Sequence, residues 1–245
     1  MFGLFKSSQF TPSKLFQTIH TDMHAHWLPS IDDGAKTLEE ALQLITSLHQ
    51  MGYRKLIATP HIMQDYYKNT PEIILEKLTL VKEAVASLPI SITLEAAAEY
   101  YLDEWMLRQL QAGSPLLTFG ERYLLFETAF LNRPPFLEEA IFLMKSQGYQ
   151  PVFAHPERYV YLWEDATLLE QLYTQGVHLQ INLNSLVGYY DKEAKKLAEQ
   201  LLTQQRIGFV GTDCHHERHL VALQKIKKPS LLKNLAALPL LNKQI

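Results

Sequence analysis

Short apolar runs alternate along the chain with stretches in which apolar residues recur every three or four positions. The first pattern is typical of buried strands, and the second of helices that cover them. The apolar runs predict strands over 17–24, 55–59, 90–98, 122–127, 150–154, 177–183 and 207–212, and the amphipathic stretches predict helices over 37–51, 71–87, 103–111, 135–147, 165–175 and 190–205. Thr37, with Glu40 three residues later, predicts a capped start for the first of these helices.

The predicted strands are of the kind found in parallel sheets. Residues 123–126 and 151–154 are apolar on both faces, as strands covered by helices on both sides must be. Seven strand–helix units with no low-complexity linker between them predict one α/β domain, a distorted (β/α)7 TIM-like barrel, rather than an open two-domain sheet. We expect this domain to span 18–245 and to follow an N-terminal arm over 1–17.

Polar residues recur where the predicted strands end. They lie in the segments Asp22-Met23-His24-Ala25-His26, Ile31-Asp32-Asp33-Gly34, Thr59-Pro60-His61, Ala98-Glu99, Phe126-Glu127, Ala154-His155-Pro156 and Asp213-Cys214-His215. Because the carboxyl ends of barrel strands meet at one end of the barrel, we expect these side chains to converge there. Imidazoles and carboxylates gathered without a cysteine cluster predict a polynuclear metal site.

Spacing within the segments supports this prediction. Side chains at positions i and i+2 of a strand share a face, so the rings of His24 and His26 can reach one ion. Asp213 and His215 repeat the same spacing at the last predicted strand. One such pair is a weak signal, but a set of eight or nine ligand-type residues at the same topological place is a strong one.

Composition and charge limit the classes of function open to this chain. The net charge of −3 offers no basic surface for a nucleic acid. The single cysteine, Cys214, excludes an internal disulfide and suits a reducing compartment. Residues Met1–Lys6 lack the apolar core of a signal peptide, and no apolar run reaches the roughly 18 residues that cross a bilayer. We therefore expect a cytoplasmic protein with no integral membrane segment.

The ligand types indicate which metal the site would take. A set of histidines and carboxylates favours manganese, iron or zinc over calcium, and we expect two or three ions, with Mn2+ as the first choice. Three divalent ions would outweigh four carboxylates and leave a cation-rich pocket, which suits an anionic substrate and above all a phosphate. Without metal the carboxylates would repel one another, so we expect chelation to inactivate the protein and to destabilise its fold.

Two motifs resemble those of a known family. The segment Asp22–Glu40, which contains the His-x-His and Asp-Asp-Gly sequences, and the segment His155–Tyr159 resemble the polymerase and histidinol phosphatase (PHP) superfamily. More narrowly, they are similar to the bacterial manganese-dependent protein-tyrosine phosphatases of capsule and exopolysaccharide loci. The resemblance extends from about residue 18 to residue 219. It implies the PHP fold, a seven-stranded βα barrel with a trinuclear site. The implied substrate is a phosphotyrosine protein, the tyrosine-rich tail of a bacterial tyrosine kinase that controls polysaccharide export.

The resemblance also implies a ligand set. Carried over residue by residue, the metal ligands are His24, His26, Asp33, His61, Glu99, Glu127, His155, Asp213 and His215. Asp32 is the alternative to Asp33, and we expect the second aspartate to bind the metal. The N-terminal arm before the first strand is a departure from the usual start of the family.

We expect a metal-bridging hydroxide to attack phosphorus, because bound metal lowers the pKa of water. Arg158 is the first candidate to hold the phosphoryl oxygens, since guanidinium matches their geometry, and Arg218 is the second. No general acid is assigned, because the phenolate of tyrosine leaves more easily than a serine alkoxide. The Cys214-x3-Arg218 spacing does not match the Cys-x5-Arg loop of cysteine-dependent phosphatases.

Other residues near the expected site receive weaker predictions. His219 could approach the site, but we expect it to lie on a solvated helix face, and we expect Cys214 to be a small buried residue. Aromatic side chains that could line a slot for a phenyl ring are Trp27, Tyr66, Tyr67, Phe130, Tyr159 and Tyr161.

Three other interpretations stay open. The protein could be another PHP phosphoesterase, such as a histidinol phosphatase, or a non-catalytic metal-binding regulatory module. An exonuclease attached to a polymerase is the third, and the chain lacks the basic channel that it needs. The complete ligand set argues against the regulatory module. Turnover of phosphotyrosine peptides compared with histidinol phosphate separates the first alternative from a tyrosine phosphatase.

Overall fold

A computed structural model describes residues 12–163 and 165–245, in which strands and helices alternate. The strands are β1 Thr21–Ala25, β2 Lys55–Ala58, β3 His61–Ile62, β4 Thr93–Ala96, β5 Glu99–Tyr101, β6 Tyr123–Glu127, β7 Gln150–Ala154, β8 His178–Asn182 and β9 Phe209–Gly211. The helices are α1 Pro12–Ile19, α2 Leu38–Met51, α3 Pro71–Val85, α4 Glu104–Ala112, α5 Leu137–Ser146, α6 Val160–Trp163, α7 Ala166–Thr174, α8 Lys192–Thr203, α9 Glu217–Leu223 and α10 Pro229–Ala237.

The strands form two sheets in which all neighbours run parallel. One sheet has the order β1-β2-β4, and the other has the order β3-β5-β6-β7-β8-β9. Backbone hydrogen bonds also join β1 to the segment after β9, from Asp213 N to His24 O (2.8 Å) and from His26 N to Cys214 O (2.9 Å). The predicted α/β class with parallel sheets is therefore confirmed. The carboxyl ends of the strands lie on the same side of the molecule, where parallel α/β proteins build their sites.

Local signals place the first long helix as predicted. Thr37 Oγ1 accepts a hydrogen bond from the Glu40 backbone N–H (3.2 Å) and caps α2. The Glu40 carboxylate accepts a hydrogen bond from the backbone N–H of Lys36 (2.7 Å), which precedes the cap, and so ties the entering segment to the first turn of the helix.

Two predicted strands differ from the observed ones. The strand predicted over 90–98 is replaced by β4 and β5, because the chain changes sheets at Ala97 and Ala98. The strand predicted over 17–24 begins only at Thr21, because residues 17–19 belong to α1. This helix buries Leu15, Phe16 and Ile19 at helical spacing. Of the predicted arm, residues 1–11 lie outside the described part of the chain, and the rest belongs to this packed helix.

The amino-terminal ends of the strands are closed by the C-terminal turn Leu241–Lys243. Asn242 accepts a hydrogen bond from Val210 N (3.0 Å) and donates to the carbonyl of Thr21 (2.9 Å), and Ile245 packs against a core cluster between the strands. The opposite end stays accessible to a ligand. Within residues 12–163 and 165–245, no helix has the length and apolar character that crossing a membrane requires.

Candidate metal centre

The predicted ligands lie at or just beyond the ends of neighbouring strands. His24 and Glu127 are near the ends of β1 and β6, and His155 follows β7. His61 and Glu99 open β3 and β5, which continue past the breaks after β2 and β4. Parallel pairing sets His61 directly beside Glu99. The sheet geometry therefore brings residues far apart in sequence to one place.

Glu99 lies at the centre of this cluster. Its Oε2 atom is 3.1 Å from Nε2 of His24, 3.3 Å from Nε2 of His26 and 3.2 Å from Nδ1 of His61. Its Oε1 atom is 3.0 Å from Nε2 of His155. Asp213 Oδ1 lies 3.4 Å from Nε2 of both His24 and His26. One carboxylate thus faces four imidazoles, and a second carboxylate shares two of them.

The ligand atoms divide into four overlapping groups, in each of which they lie within 4.8 Å of one another. The groups are His26 with Asp33, His61 and His215; His24 with His26 and Asp213; His24 with Glu99 and His155; and His61 with Glu99 and Glu127. Together they contain all nine predicted ligands. The structure therefore brings the predicted set together, and the role of each residue as a ligand stays a prediction.

The polar atoms of this cluster fit bound cations. Glu99 Oε2 and His61 Nδ1 are buried and have no hydrogen-bond partner in the described part of the chain. His24 Nε2 and His26 Nε2 point at each other across 3.3 Å. Several lone pairs that share a small buried space are compensated by a cation, and nitrogen with carboxylate oxygen suits manganese, iron or zinc.

Neighbouring groups orient three of the imidazoles. The Nδ1 atoms of His24, His26 and His215 lie 2.9 Å from Gln180 Oε1, 2.8 Å from Asp32 Oδ2 and 2.9 Å from the carbonyl of Asp213. Each acceptor holds the proton on Nδ1, so the lone pair of Nε2 faces the cluster. This is how metal-binding histidines are usually supported.

The two adjacent aspartates have different surroundings. Asp32 is buried and accepts hydrogen bonds from His26 and from the backbone N–H of Gly34 (2.8 Å). Asp33 Oδ1 lies 3.4 Å from Nε2 of both His61 and His215. The geometry therefore favours Asp33 as the ligand and gives Asp32 the task of orienting His26.

Electrostatics keep Glu99 and Asp213 ionised. Burial favours the protonated acid, but the surrounding histidines, His24 foremost, outweigh it and hold the pKa of Glu99 well below its usual value. The same balance lowers the pKa of Asp213, where Arg158 adds to the effect. Burial lowers the pKa of His26, but Asp32 foremost, with Asp213 and Glu99, outweighs it and raises that pKa well above its usual value. A cation that binds here must therefore displace protons, so we expect its affinity to fall in acid.

A cavity of about 790 Å³ opens beside the cluster. Arg158 lines it, and its Nη1 donates to Asp213 Oδ2 (3.0 Å). The guanidinium lies between Phe130 and Tyr190, with Cζ 4.7 Å and 4.3 Å from the ring centroids. Salt bridge and stacking together hold Arg158 at the edge of the site, where an anion would meet it.

The structure places two residues differently from the sequence expectation. Arg218 is exposed on α9 and lines a separate surface depression with Tyr189 and Lys225, so the helix carries it away from the cavity. His219 is not on a solvated face, because it is 7% exposed and lines the cavity beside His215. Cys214 is buried as predicted, and burial raises the pKa of its thiol.

The aromatic candidates also separate into two groups. Tyr66, Tyr67 and Phe130 line the cavity. Trp27 and Tyr159 are fully buried in the core and do not line it. Tyr161 is partly buried, lies outside the lining and contacts Thr128 through its hydroxyl (2.7 Å).

Sequence reasoning missed residues that support the site from β8. Gln180 holds His24, and Asn182 donates to Asp213 Oδ2 (2.7 Å). Tyr190 also donates to that oxygen (3.3 Å). A signal for the first two was present, because polar residues at 180 and 182 alternate with Leu179 and Ile181 in a strand buried on both faces.

The parallel sheets and the histidine–carboxylate cluster at their carboxyl ends define an α/β protein with a polynuclear candidate metal site. The chain belongs to the capsular polysaccharide synthesis family CpsB/CapC, whose model matches residues 20–232. This confirms the family relationship predicted from the motifs.

Two relatives named as tyrosine-protein phosphatases support this membership. Tyrosine-protein phosphatase YwqE of Bacillus subtilis is 30% identical over 195 residues, which are 80% of this chain and 77% of YwqE. Tyrosine-protein phosphatase CpsB of Streptococcus pneumoniae is 26% identical over 200 residues, 80% of this chain and 82% of CpsB.

Solved structures show the same relationship. The crystal structures of YwqE from Bacillus subtilis and CpsB from Streptococcus pneumoniae, described as unique metal-dependent tyrosine phosphatases, include a chain that superimposes with a TM-score of 0.76 at 29% identity. The match covers 91% of this chain and 94% of that one. The lactonase Lmo2620 from Listeria monocytogenes, with a TM-score of 0.54 and 12% identity, shares the fold alone.

Proposed function

We propose that this protein is a metal-dependent protein-tyrosine phosphatase that hydrolyses phosphotyrosine in proteins. The convergence of nine imidazole and carboxylate groups on a cavity lined by Arg158 carries the proposal. Relatives that align over most of the chain are tyrosine-protein phosphatases, which adds independent support.

We expect the protein to have the fold of the PHP superfamily, and we propose that the two sheets form one distorted (β/α)7 barrel. The backbone hydrogen bonds between Asp213 and His24 and between His26 and Cys214 support that closure.

We propose Mn2+ as the cofactor, bound as two or three ions by the nine predicted ligands, with iron or zinc as alternatives. Bound metal would neutralise charge on the phosphoryl group and lower the pKa of water. The residues of the chain prepare this site in advance. Gln180, Asp32 and the Asp213 carbonyl hold three imidazoles in the orientation that metal binding needs.

Arg158 is the residue that we propose to hold the phosphoryl oxygens. Its Nη1 is engaged by Asp213, and the planar group keeps further N–H donors for an anion in the cavity. Tyr67, Phe130 and Tyr190 line the cavity with aromatic surface that a phenyl ring can pack against. A phosphotyrosine could thus place its phosphate at Arg158 and its ring against these walls.

The physiological substrate that we propose is a phosphotyrosine protein, the tail of a bacterial tyrosine kinase of polysaccharide export. Membership in a family of capsular polysaccharide synthesis supports this choice. A cytoplasmic location fits both the single cysteine and such a substrate, and it stays a prediction from the sequence.

The test compares substrates on the chelated and reloaded protein. Phosphotyrosine and phosphoserine peptides of the same sequence, together with histidinol phosphate, are assayed after addition of Mn2+, Fe2+ or Zn2+. We expect turnover of phosphotyrosine to exceed that of the other two and to depend on metal. Equal turnover of the two peptides would contradict the tyrosine specificity, and preference for histidinol phosphate would favour that alternative.

Two histidine variants assign the activity to the cluster. His155→Ala removes a predicted ligand and is expected to abolish turnover while the fold is retained. His178→Ala is the matched control, because His178 lies at the amino-terminal end of β8 and packs edge-on against Phe209 (5.9 Å between ring centroids). Activity that survives in His155→Ala would contradict the proposed site.

A further inference from the structure

His219 lines the same cavity as Arg158 and is not one of the predicted metal ligands. It belongs to α9 and is 7% exposed, so the fold encloses most of its ring. Tyr190 lies between the two side chains, with its ring centroid 4.3 Å from Arg158 Cζ and 6.4 Å from the ring of His219. His219 and Arg158 are therefore placed to meet the same ligand.

The neighbours of His219 fix the orientation of its ring. The backbone N–H of His215 donates a hydrogen bond to Nδ1 (3.1 Å). The ring of Tyr189 packs edge-on at 4.9 Å, and the ring of His216 lies 4.1 Å away. Since a nitrogen that accepts an N–H carries no proton, the ring carries its proton on Nε2. Among the described residues, no side chain accepts a hydrogen bond from that N–H.

An oriented neutral donor of this kind suits an anionic oxygen. Arg158 supplies one set of donors to the cavity, whereas Arg218 is exposed outside it. We propose that His219 binds the substrate by donating a hydrogen bond from Nε2–H to a nonbridging oxygen of the phosphoryl group. The inference rests on the proposed phosphatase function. The donor strengthens as charge grows on these oxygens, and it requires no proton transfer.

Two substitutions of His219 distinguish the acceptor role of Nδ1 from the donor role of Nε2. The amide of His219→Asn can reproduce the acceptor at Nδ1, which holds the His215 backbone, but it has no donor at the position of Nε2. The amide of His219→Gln places a donor near the position of Nε2. We expect kcat/KM for a phosphotyrosine peptide to fall about 10- to 100-fold in His219→Asn, and His219→Gln to recover a large part of that loss.

A structural role for His219 predicts the opposite order. If the ring served only to anchor the His215 backbone, His219→Asn would retain activity and His219→Gln would lose it, and that result would overturn the proposal. Loss of bound metal in His219→Asn, measured by elemental analysis, would overturn it as well. His49→Asn, on α2 and away from the residues that line the cavity, is the matched control.

Binding of inorganic phosphate keeps this test separate from the proposed function. Titration of the metal-loaded protein with phosphate is expected to give a Kd about tenfold weaker in His219→Asn than in the wild type. If the wild type hydrolyses no phosphotyrosine, the proposed function fails, and weaker phosphate binding still supports His219 as an oxyanion ligand. Equal phosphate affinity in both proteins would overturn the inference.

Discussion

At the scale of single residues, Arg158 depends on the shape of its guanidinium as well as on its charge. The group pairs with Asp213 and stacks between Phe130 and Tyr190. Lysine keeps the charge but has neither the planar surface nor the forked donors. We therefore expect Arg158→Lys to lower kcat/KM for a phosphotyrosine peptide about 100-fold without loss of bound metal. Arg218→Lys is the control, because it changes an exposed arginine outside the cavity, and it should change kcat/KM less than about twofold. Similar losses of kcat/KM in both variants would refute this role of Arg158.

Asp22 makes the stability of the protein depend on pH. It is fully buried, its Oδ1 accepts the backbone N–H of Thr212 (3.0 Å), and its Oδ2 accepts the Thr212 hydroxyl (2.6 Å). Burial raises the pKa of Asp22 from 3.8 to about 6, although Thr212 opposes the shift. Because the folded state binds the proton more tightly, this contribution to stability is complete below about pH 4 and is lost as pH rises through about 6.

The substitution Asp22→Asn isolates this effect, because asparagine does not titrate in this range. We expect the free energy of unfolding of the wild type to fall by about 2 kcal/mol relative to Asp22→Asn between about pH 4 and pH 7. Urea unfolding in the presence of a chelator measures both proteins without a contribution from metal. A difference that stays constant over this pH range would show that Asp22 does not titrate as inferred.

At the scale of elements, the turn between β1 and α2 sets the position of both aspartates. A Cβ atom on Gly34 would lie 1.9 Å from the carbonyl oxygen of His26, so only glycine fits where the turn folds back on β1. We expect Gly34→Ala to displace Asp32 and Asp33 and to weaken Mn2+ binding about 10- to 100-fold. Calorimetric titration measures the affinity.

Gly113→Ala is the matched control for that experiment. Gly113 ends α4 with φ of 68°, and a Cβ atom there would meet nothing within 4 Å. Alanine in this left-handed conformation should lower stability by about 1 kcal/mol and leave Mn2+ affinity unchanged. Equal affinities in Gly34→Ala and the wild type would mean that the turn does not position the ligands.

Elements with strong local signals were predictable from the sequence, and elements decided by tertiary contacts were not. The strand over 150–154 has the predicted bounds, because Gly148 and Pro156 delimit it locally. The strand predicted over 90–98 is confirmed only over 93–96, since the change of sheet at Ala97 and Ala98 depends on which strands become neighbours. The helical start at Pro12 was missed because a short apolar run fits a strand as well as a helix.

The same distinction holds for the site. All nine predicted ligands follow from one rule, that polar residues at the ends of parallel strands converge, and the structure places them together. Tyr190 acts through a contact with Asp213, which is distant in sequence and which no spacing reveals, whereas the alternation at 180 and 182 was a signal for Gln180 that the sequence analysis did not use. His219 was misjudged because the packing of Tyr189 against it encloses a helix face that the sequence indicates as exposed.

At the scale of the whole molecule, the buried charge cluster couples metal binding to folding. Glu99 and Asp213 are anionic and nearly inaccessible, and their ligand partners are far apart in an unfolded chain. Metal therefore binds the folded state far better than the unfolded one. At a free Mn2+ concentration of about 100 times Kd, we expect stabilisation by about 2.7 kcal/mol, which corresponds to a rise in Tm of roughly 5–10 °C.

Thermal unfolding with Mn2+ and with chelator measures this rise. The rise should be smaller in acid, because the raised pKa of His26 makes protons compete with the metal for the same nitrogen. Glu99→Gln removes the carboxylate charge at the centre of the cluster and should suppress most of the rise, whereas His178→Ala at the opposite end of β8 should retain it. An identical Tm in Mn2+ and in chelator would mean that these nine side chains do not form a metal site, because ions held by four imidazoles and a shared carboxylate must stabilise the fold that assembles them.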